Sequence, residues 1–189
     1  MKRSALGLLA VLALSAPAVQ GQSATCIFRG APDALAERPS PLDSVEIRLG
    51  GAAAKLCYGR PATAGRTVVG GQDPFGVPWR FGANEPTTLH VPFEASVGGV
   101  ALSPGSYSLY AIPEARSWTI VVNGSTNRWG IPINPEVRQS DIGSFVVQVA
   151  TTDAPVERLT FRFDSSAESS GILVFEWERT TFEIPISRR

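Results

Sequence analysis

The chain has 189 residues, 43% of them hydrophobic, and its 17 basic side chains are balanced by 17 acidic ones. This length suits one domain with a substantial core and is too short for two ordinary domains once an N-terminal signal is removed. A balanced charge gives no electrostatic reason to bind nucleic acid or an anionic membrane surface, so we exclude nucleic acid as a partner.

The first 21 residues predict a cleaved secretory signal peptide. Lys2 and Arg3 precede an apolar run over residues 6–14, and residues 16–21 supply small side chains at which cleavage can occur. A membrane-spanning helix needs roughly 20 apolar residues, and this run is much shorter before Pro17 interrupts it, so no stable membrane anchor is expected. The mature protein is therefore expected to be exported, either to the periplasm or out of the cell.

Residues 22–40 predict an extended N-terminal arm, because they are rich in alanine, proline and charge and show no apolar period. The only two cysteines are Cys26 in this arm and Cys57 in a later strand. In an oxidising compartment two thiols in one small domain most simply form a disulfide, with two separate thiols as the alternative. Two cysteines and one histidine make a poor metal-binding set, so the sequence predicts no metal and no cofactor.

Apolar and polar residues alternate in short segments from residue 41 onward, which is the period of half-buried strands. Residues 45–49 and 52–58 flank Gly50-Gly51 and predict a hairpin. Two long loops are expected, at residues 59–71 and 125–142. Further strands are predicted at residues 87–93, 106–112, 118–122, 145–149, 159–163, 173–177 and 181–186.

Outside the signal no window of 11 or more residues has a helical period, and about nine or ten strands are separated by Gly, Pro, Asn and Asp. Parallel sheets would need helical crossovers. The pattern therefore predicts an all-β domain over residues 41–189, an antiparallel β-sandwich or flattened barrel of jelly-roll type.

Residues 74–88, PFGVPWRFGANEPTT, concentrate directional polar groups between glycines and prolines. The stretch has no nucleophile with a base, no metal-ligand spacing and no phosphate-binding loop. It does combine flat aromatic rings with an arginine fork, an amide and a carboxylate, a combination typical of sugar or peptide sites. The candidate ligand-binding residues are Arg60, Trp79, Arg80, Asn84, Glu85, Thr87, Tyr107 and Tyr110.

Three functions stay open. The first is a binding or accessory domain for a glycan, a peptide or a small polar ligand. The second is a glycan or ester hydrolase, in which Glu85, with a raised pKa, acts as acid or base beside Asp73 or Glu114. The third is a structural envelope protein in which Arg80 and Glu85 form a buried ion pair. His90, the single histidine, is expected to face solvent from its strand.

Several segments together resemble one bacterial family. They are Tyr58-Gly59-Arg60-Pro61, Trp79-Arg80-Phe81-Gly82-Ala83-Asn84-Glu85, Pro104-Gly105-Ser106-Tyr107-Ser108-Leu109 and Trp129-Gly130. The chain is similar, from about Ser40 to Ile186, to the family known as domain of unknown function 2911. The resemblance implies an exported, mainly β domain and implies no activity. Pro78 and His90 depart from the family pattern, which often has a polar residue at the first position and a hydrophobic residue or threonine at the second.

Overall fold

The computed structural model describes residues 24–189 as two antiparallel β-sheets packed face to face. The predicted β-sandwich is confirmed, and the two sheets do not close into a barrel. The signal peptide predicted at residues 1–21 lies outside the described residues. Between residues 24 and 189, none of the helices has both the length and the apolar character that crossing a membrane requires.

Ten strands follow one another along the chain. They are β1 (Leu42–Leu49), β2 (Ala52–Gly59), β3 (Thr87–Val91), β4 (Ala95–Val97), β5 (Val100–Leu102), β6 (Gly105–Pro113), β7 (Ser117–Asn123), β8 (Asp141–Gln148), β9 (Ala150–Ala167) and β10 (Ser170–Arg188). The larger sheet has the order β1-β2-β3-β6-β7-β8 and the smaller one the order β5-β4-β10-β9. The hairpin predicted around Gly50-Gly51 is confirmed by the pairing of β1 with β2.

Two segments predicted as separate strands, residues 173–177 and 181–186, are halves of the single strand β10. The inward-facing residues have odd numbers up to Trp177 and even numbers from Phe182 onward. Since side chains alternate strictly along a strand, such a change requires an extra residue. The structure supplies it as an irregularity at Glu178, where φ is 53°.

Two short helices lie in segments predicted to be irregular or extended. A 3₁₀ helix, Pro32–Leu35, interrupts the N-terminal arm. Helix α1, Pro135–Arg138, lies in the second long loop, and the Asn134 side chain caps it by accepting a hydrogen bond from the Val137 amide at 3.1 Å. Both helices are only four residues long, so neither produces a periodic pattern that a sequence reading could detect.

The core between the sheets is dominated by aromatic rings. Phe175 and Phe182 of β10 stack with 4.5 Å between ring centroids, and the strand residues Trp118 and Phe161 are buried as their alternation predicts. The long loop between β2 and β3, residues 60–86, adds two more rings. The central aromatic cluster thus contains Trp79, Phe81, Trp118, Phe161, Phe175, Trp177 and Phe182.

The outer face of β3, in the middle of the larger sheet, is also covered, and all five residues of β3 are buried. The predicted disulfide is present between Cys26 and Cys57 and fastens the arm to this face. The expectation that His90 faces solvent is wrong, because its side chain is 8% exposed and its Nδ1 lies 2.7 Å from Ser106 Oγ. The alternation of a strand cannot reveal a cover that comes from a distant part of the chain.

Candidate functional site

A cavity of about 400 Å³ opens beside the residue 74–88 stretch. Its volume lies within the range of roughly 300–1,000 Å³ that is typical of ligand pockets. Asp73, Arg80 and the two indole side chains of Trp79 and Trp177 contribute to its wall. We call it the Asp73–Arg80 cavity.

The loop that forms the cavity is irregular but firmly attached to both sheets. The Glu178 carboxylate, at the irregularity in β10, accepts hydrogen bonds from the backbone N–H groups of Val68 at 2.8 Å and Val69 at 2.7 Å. On the other sheet, Trp79 and Ala111 exchange two backbone hydrogen bonds, of 2.7 and 2.9 Å. Groups carried on a supported loop keep a fixed geometry, which is what a binding site requires.

Arg80 lies between two buried aromatic residues of the loop and has unused hydrogen-bond donors. Its Nε donates to the Gly82 carbonyl oxygen at 3.2 Å. Its two terminal Nη groups donate to no residue between 24 and 189. Burial lowers the pKa of Arg80, while the charges of Asp73 and Glu85 act in the opposite direction. An arginine side chain nevertheless stays charged at physiological pH, so the cavity wall contains a partly desolvated guanidinium with free donors.

Asp73 also has unused capacity. Its backbone is fixed, since its N–H donates to the Val68 carbonyl oxygen at 2.8 Å, but its carboxylate has no hydrogen-bond or ion-pair partner in the described part of the chain. Burial raises the pKa of Asp73 to about 6; the charge of Glu178 adds to this rise, and Arg80 and Arg66 oppose it. This carboxyl group therefore changes its charge close to neutral pH.

Glu85 has the opposite environment. Its Oε2 accepts a hydrogen bond from Arg38 Nη1 at 2.7 Å, and its Oε1 accepts one from the Arg29 backbone N–H at 2.9 Å. Burial alone would raise the pKa of Glu85, but these hydrogen bonds outweigh it and the pKa is lowered. The expected raised pKa is thus wrong, and so is the Arg80–Glu85 ion pair, because Arg38 of the arm takes that place. Hydrolase activity itself stays a prediction.

The other polar members of the predicted set on this side of the domain are also engaged internally. Asn84 has a φ of 64° and its Nδ2 donates to the Ser40 carbonyl oxygen at 3.1 Å. Thr87 is fully buried, and its hydroxyl donates to the Phe81 carbonyl oxygen at 2.6 Å. Arg60 donates to the carbonyl oxygen of Leu159 and the hydroxyl of Thr160 in β9, both at 3.1 Å. These contacts hold the loop in its conformation.

The two tyrosines of the predicted set do not line the cavity. Tyr107 donates its hydroxyl to the Ser103 carbonyl oxygen at 2.7 Å. Tyr110 is fully buried and donates to Asp141 Oδ2 at 2.8 Å; burial raises its pKa to about 12. Of the eight predicted ligand-binding residues, the structure therefore places Trp79 and Arg80 on the cavity wall.

Most residues of the cavity wall are missing from the predicted binding set, and besides Asp73 they include three with long polar or aromatic side chains: Arg66, Gln72 and Trp177. Arg66 and Gln72 lie in the glycine-rich part of the loop and are joined by a hydrogen bond of 2.7 Å between Arg66 Nη1 and Gln72 Oε1. Nothing in that part of the sequence distinguishes them. Trp177 is buried in the core, as the alternation of its strand predicts, and it also reaches the cavity. Within residues 24–189, no three or more His, Cys, Asp and Glu side chains are placed to hold a metal ion.

Two glycines in the segments that carry the family resemblance pack directly against the residue 74–88 stretch. A Cβ atom at Gly59 would lie 1.9 Å from the Ala83 carbonyl oxygen. At Gly130 it would lie 2.4 Å from the Asn84 carbonyl oxygen and 2.7 Å from Arg80 Cδ. The separate segments of the resemblance therefore meet in space around this stretch.

Comparison with known proteins gives one match. The model of the family described as "Protein of unknown function (DUF2911)" matches residues 40–186. No curated protein and no solved structure matches the chain. The matched range begins just before β1 and ends within β10, so it includes the whole loop that forms the Asp73–Arg80 cavity.

Proposed function

The chain belongs to this DUF2911 family of proteins of unknown function, and from that premise we propose that it is an exported binding or accessory protein that holds a small polar ligand in the Asp73–Arg80 cavity. One observation carries the proposal. Arg80 and Asp73 line an open cavity, and neither the Nη groups of Arg80 nor the carboxylate of Asp73 has hydrogen-bond partners within the described residues.

The energetic reason is the cost of leaving charged groups partly buried without partners. A charge removed from water is normally compensated by an opposite charge or by hydrogen bonds. Glu85, only a few residues away, is compensated in this way by Arg38 and Arg29. A ligand that accepts from Arg80 and donates to Asp73 would provide the missing partners.

Two observations support export. The sequence of residues 1–21 has the pattern of a secretory signal. The Cys26–Cys57 disulfide is of a kind that persists in oxidising compartments and is rare in the cytosol. The ligand would accordingly be met outside the cytoplasm, as a glycan fragment, a peptide or a small polar molecule.

A thermal-shift screen of the mature chain against sugars, short peptides and organic acids tests the proposal, with isothermal titration calorimetry of the hits. We expect at least one ligand to raise the melting temperature and Arg80→Gln to weaken its binding about 10- to 100-fold, since hydrogen bonds to charged groups contribute about 1.5–3 kcal/mol. Arg48→Gln, an exposed change on β1, is the control and should bind as the wild type does. A panel without any hit, or hits unaffected by Arg80→Gln, would contradict the proposal.

A further inference from the structure

Three charged side chains line the Asp73–Arg80 cavity: Arg66, Asp73 and Arg80. Each nitrogen of the Arg66 guanidinium donates one hydrogen bond within the loop, to the carbonyl oxygens of Thr63 at 2.9 Å and Ala62 at 3.0 Å and to the Gln72 side chain. Three of its five N–H groups are therefore engaged, and Arg66 contributes mainly positive charge to the cavity. Arg80 contributes both positive charge and free donors.

Glu178 is the remaining carboxylate that acts on Asp73, and it does not change this balance at the cavity wall. Its two oxygens are held by the backbone N–H groups of Val68 and Val69, and the residue does not line the cavity. The cavity wall itself thus has two guanidinium groups and one carboxylate, which is one more positive than negative charge when Asp73 is ionised. Two further carboxylates lie outside the wall: Glu85, which acts on Arg80, and Glu157, on which Arg66 acts.

We infer that the ligand of this cavity carries a single carboxylate group, which the Nη groups of Arg80 bind, while Asp73 accepts a hydrogen bond from a neighbouring hydroxyl or N–H of the same ligand. The inference rests on the proposed function and specifies its ligand. Arginine matches a carboxylate with two parallel hydrogen bonds, a geometry that a lysine cannot offer. A monoanion also neutralises the single excess charge.

The same arrangement disfavours two other ligand classes. A neutral sugar would leave the excess positive charge uncompensated. A phosphate monoester carries close to two negative charges near pH 7 and would place the second one beside the Asp73 carboxylate. Like charges at such short range repel each other, so Asp73 selects against a dianion.

The remainder of the ligand meets a mixed surface. Trp79 and Trp177 are stacked on each other with 5.5 Å between ring centroids, so each indole covers one face of the other. Ile131 adds an exposed apolar side chain to this wall. A compact ligand with a short polar body fits this wall. Both a sugar acid and the C-terminus of an amino acid or short peptide have this chemistry.

Matched ligand pairs test the inference by calorimetry at pH 7.5 with the mature chain. The sugar series compares glucuronate with glucose and with glucose 6-phosphate, and the peptide series compares N-acetylalanine with its amide. We expect at least one carboxylate to bind tenfold or more tightly than its neutral partner, and glucuronate to bind more tightly than the phosphate. The series that shows this preference tells whether the natural ligand is a sugar acid or a peptide carboxylate. In Arg80→Lys the preference should shrink, and in Arg80→Gln it should vanish, while Arg48→Gln keeps it.

Failure of the inference differs from failure of the proposed function. If neutral ligands bind as tightly as the carboxylates and Arg80→Gln still weakens them, the cavity binds ligands but the carboxylate assignment is overturned. If glucose 6-phosphate binds most tightly, the claim that the ligand carries a single negative charge is overturned. If no ligand of any class binds, both fail.

A wild-type measurement keeps the test valid if an Arg80 variant does not fold. The charged groups that act on Asp73 are Arg80, Arg66 and Glu178. Protonation of Asp73 removes the negative charge of this residue from the cavity wall. Both ligands lose an ionised acceptor when Asp73 is protonated, but only glucuronate is also relieved of a repulsive charge, so the preference for glucuronate over glucose should increase about fivefold from pH 7.5 to pH 5.5. An equal response of the two ligands to pH would overturn the inference.

Discussion

Asp73 and Glu85 are two acidic residues of one loop segment, and their surroundings are opposite. Glu85 is 4% exposed, and each of its oxygens accepts a hydrogen bond from the N-terminal arm. Asp73 is half-buried in a cavity wall, close to Arg80, and its carboxylate has no partner in the described chain. Acidic residues of one loop thus divide into those whose charge is paired within the fold and those whose charge has no partner there.

The two carboxyl groups also have opposite effects on stability as the pH changes. The pKa of Glu85 is lower in the folded chain than its ordinary value, so its stabilisation is present above the unfolded pKa and is lost as the pH falls through the folded one. The pKa of Asp73 is raised to about 6, so the folded state holds this proton more tightly. Ionised Asp73 therefore destabilises the fold as the pH rises through about 6.

The largest predicted effect is on the structural side of this comparison. Glu85→Ala leaves the Arg38 guanidinium, which is only 14% exposed, without its carboxylate. Removing one partner of a buried ion pair costs about 3–5 kcal/mol, so the free energy of unfolding in urea should fall by about that amount. Glu46→Ala is the control, because Glu46 pairs with Arg48 on the exposed surface of β1 and such pairs contribute about 1 kcal/mol or less. Equal losses of unfolding free energy in both variants would show that Glu85 has no special structural role.

A smaller loss of unfolding free energy is expected at Gly130, which contacts both the internally bonded Asn84 and the cavity residue Arg80. Gly130 donates its backbone N–H to the Asn84 carbonyl oxygen at 3.0 Å and packs against Arg80 Cδ. Gly130→Ala forces a Cβ into both contacts, and overpacking of this kind costs about 1–3 kcal/mol. Gly124→Ala, in the same segment, has its nearest contact at 3.6 Å and should change the unfolding free energy by less than about 0.5 kcal/mol. A Gly130→Ala protein as stable as this control would show that the contact is not tight.

The strands of the fold could largely be predicted from the sequence, because each local pattern is sufficient to specify one. Alternation located the hairpin of β1 and β2 and the inward aromatic residues of β9 and β10. It did not reveal that β10 is continuous. The inward-facing residues do change from odd numbers at Trp177 to even numbers at Phe182, which hints at an extra residue in one strand. Whether such a shift means a turn or an extra residue depends on the partner strand, which the local pattern does not describe.

The candidate site was less predictable, because hydrogen-bond partners come from distant segments. Trp79 and Arg80 could be found from their composition. The partner of Glu85 is Arg38, which lies in an arm without a periodic pattern and reaches Glu85 because a disulfide fastens the arm to the sheet. The burial of His90, which lines a small pocket together with Ala24 of the arm, was missed for the same reason. Sequence reasoning thus identified the stretch but not which of its charges would be paired.

The smallest predicted effect has the opposite sign and lies on the cavity side. Asp73→Asn removes a carboxylate whose ionised form is disfavoured by burial, so the variant should be more stable than the wild type at pH 7.5. The raised pKa of about 6 corresponds to a gain of about 1–2 kcal/mol once solvent screening of a half-buried group is allowed for. At pH 4.5, where Asp73 is protonated in the folded wild type, most of this advantage should disappear. Thermal unfolding of both proteins at the two pH values measures the difference. Because Glu85 is present in both proteins, its own acid sensitivity cancels, and a gain that persists unchanged at pH 4.5 would show that Asp73 is not the titrating group.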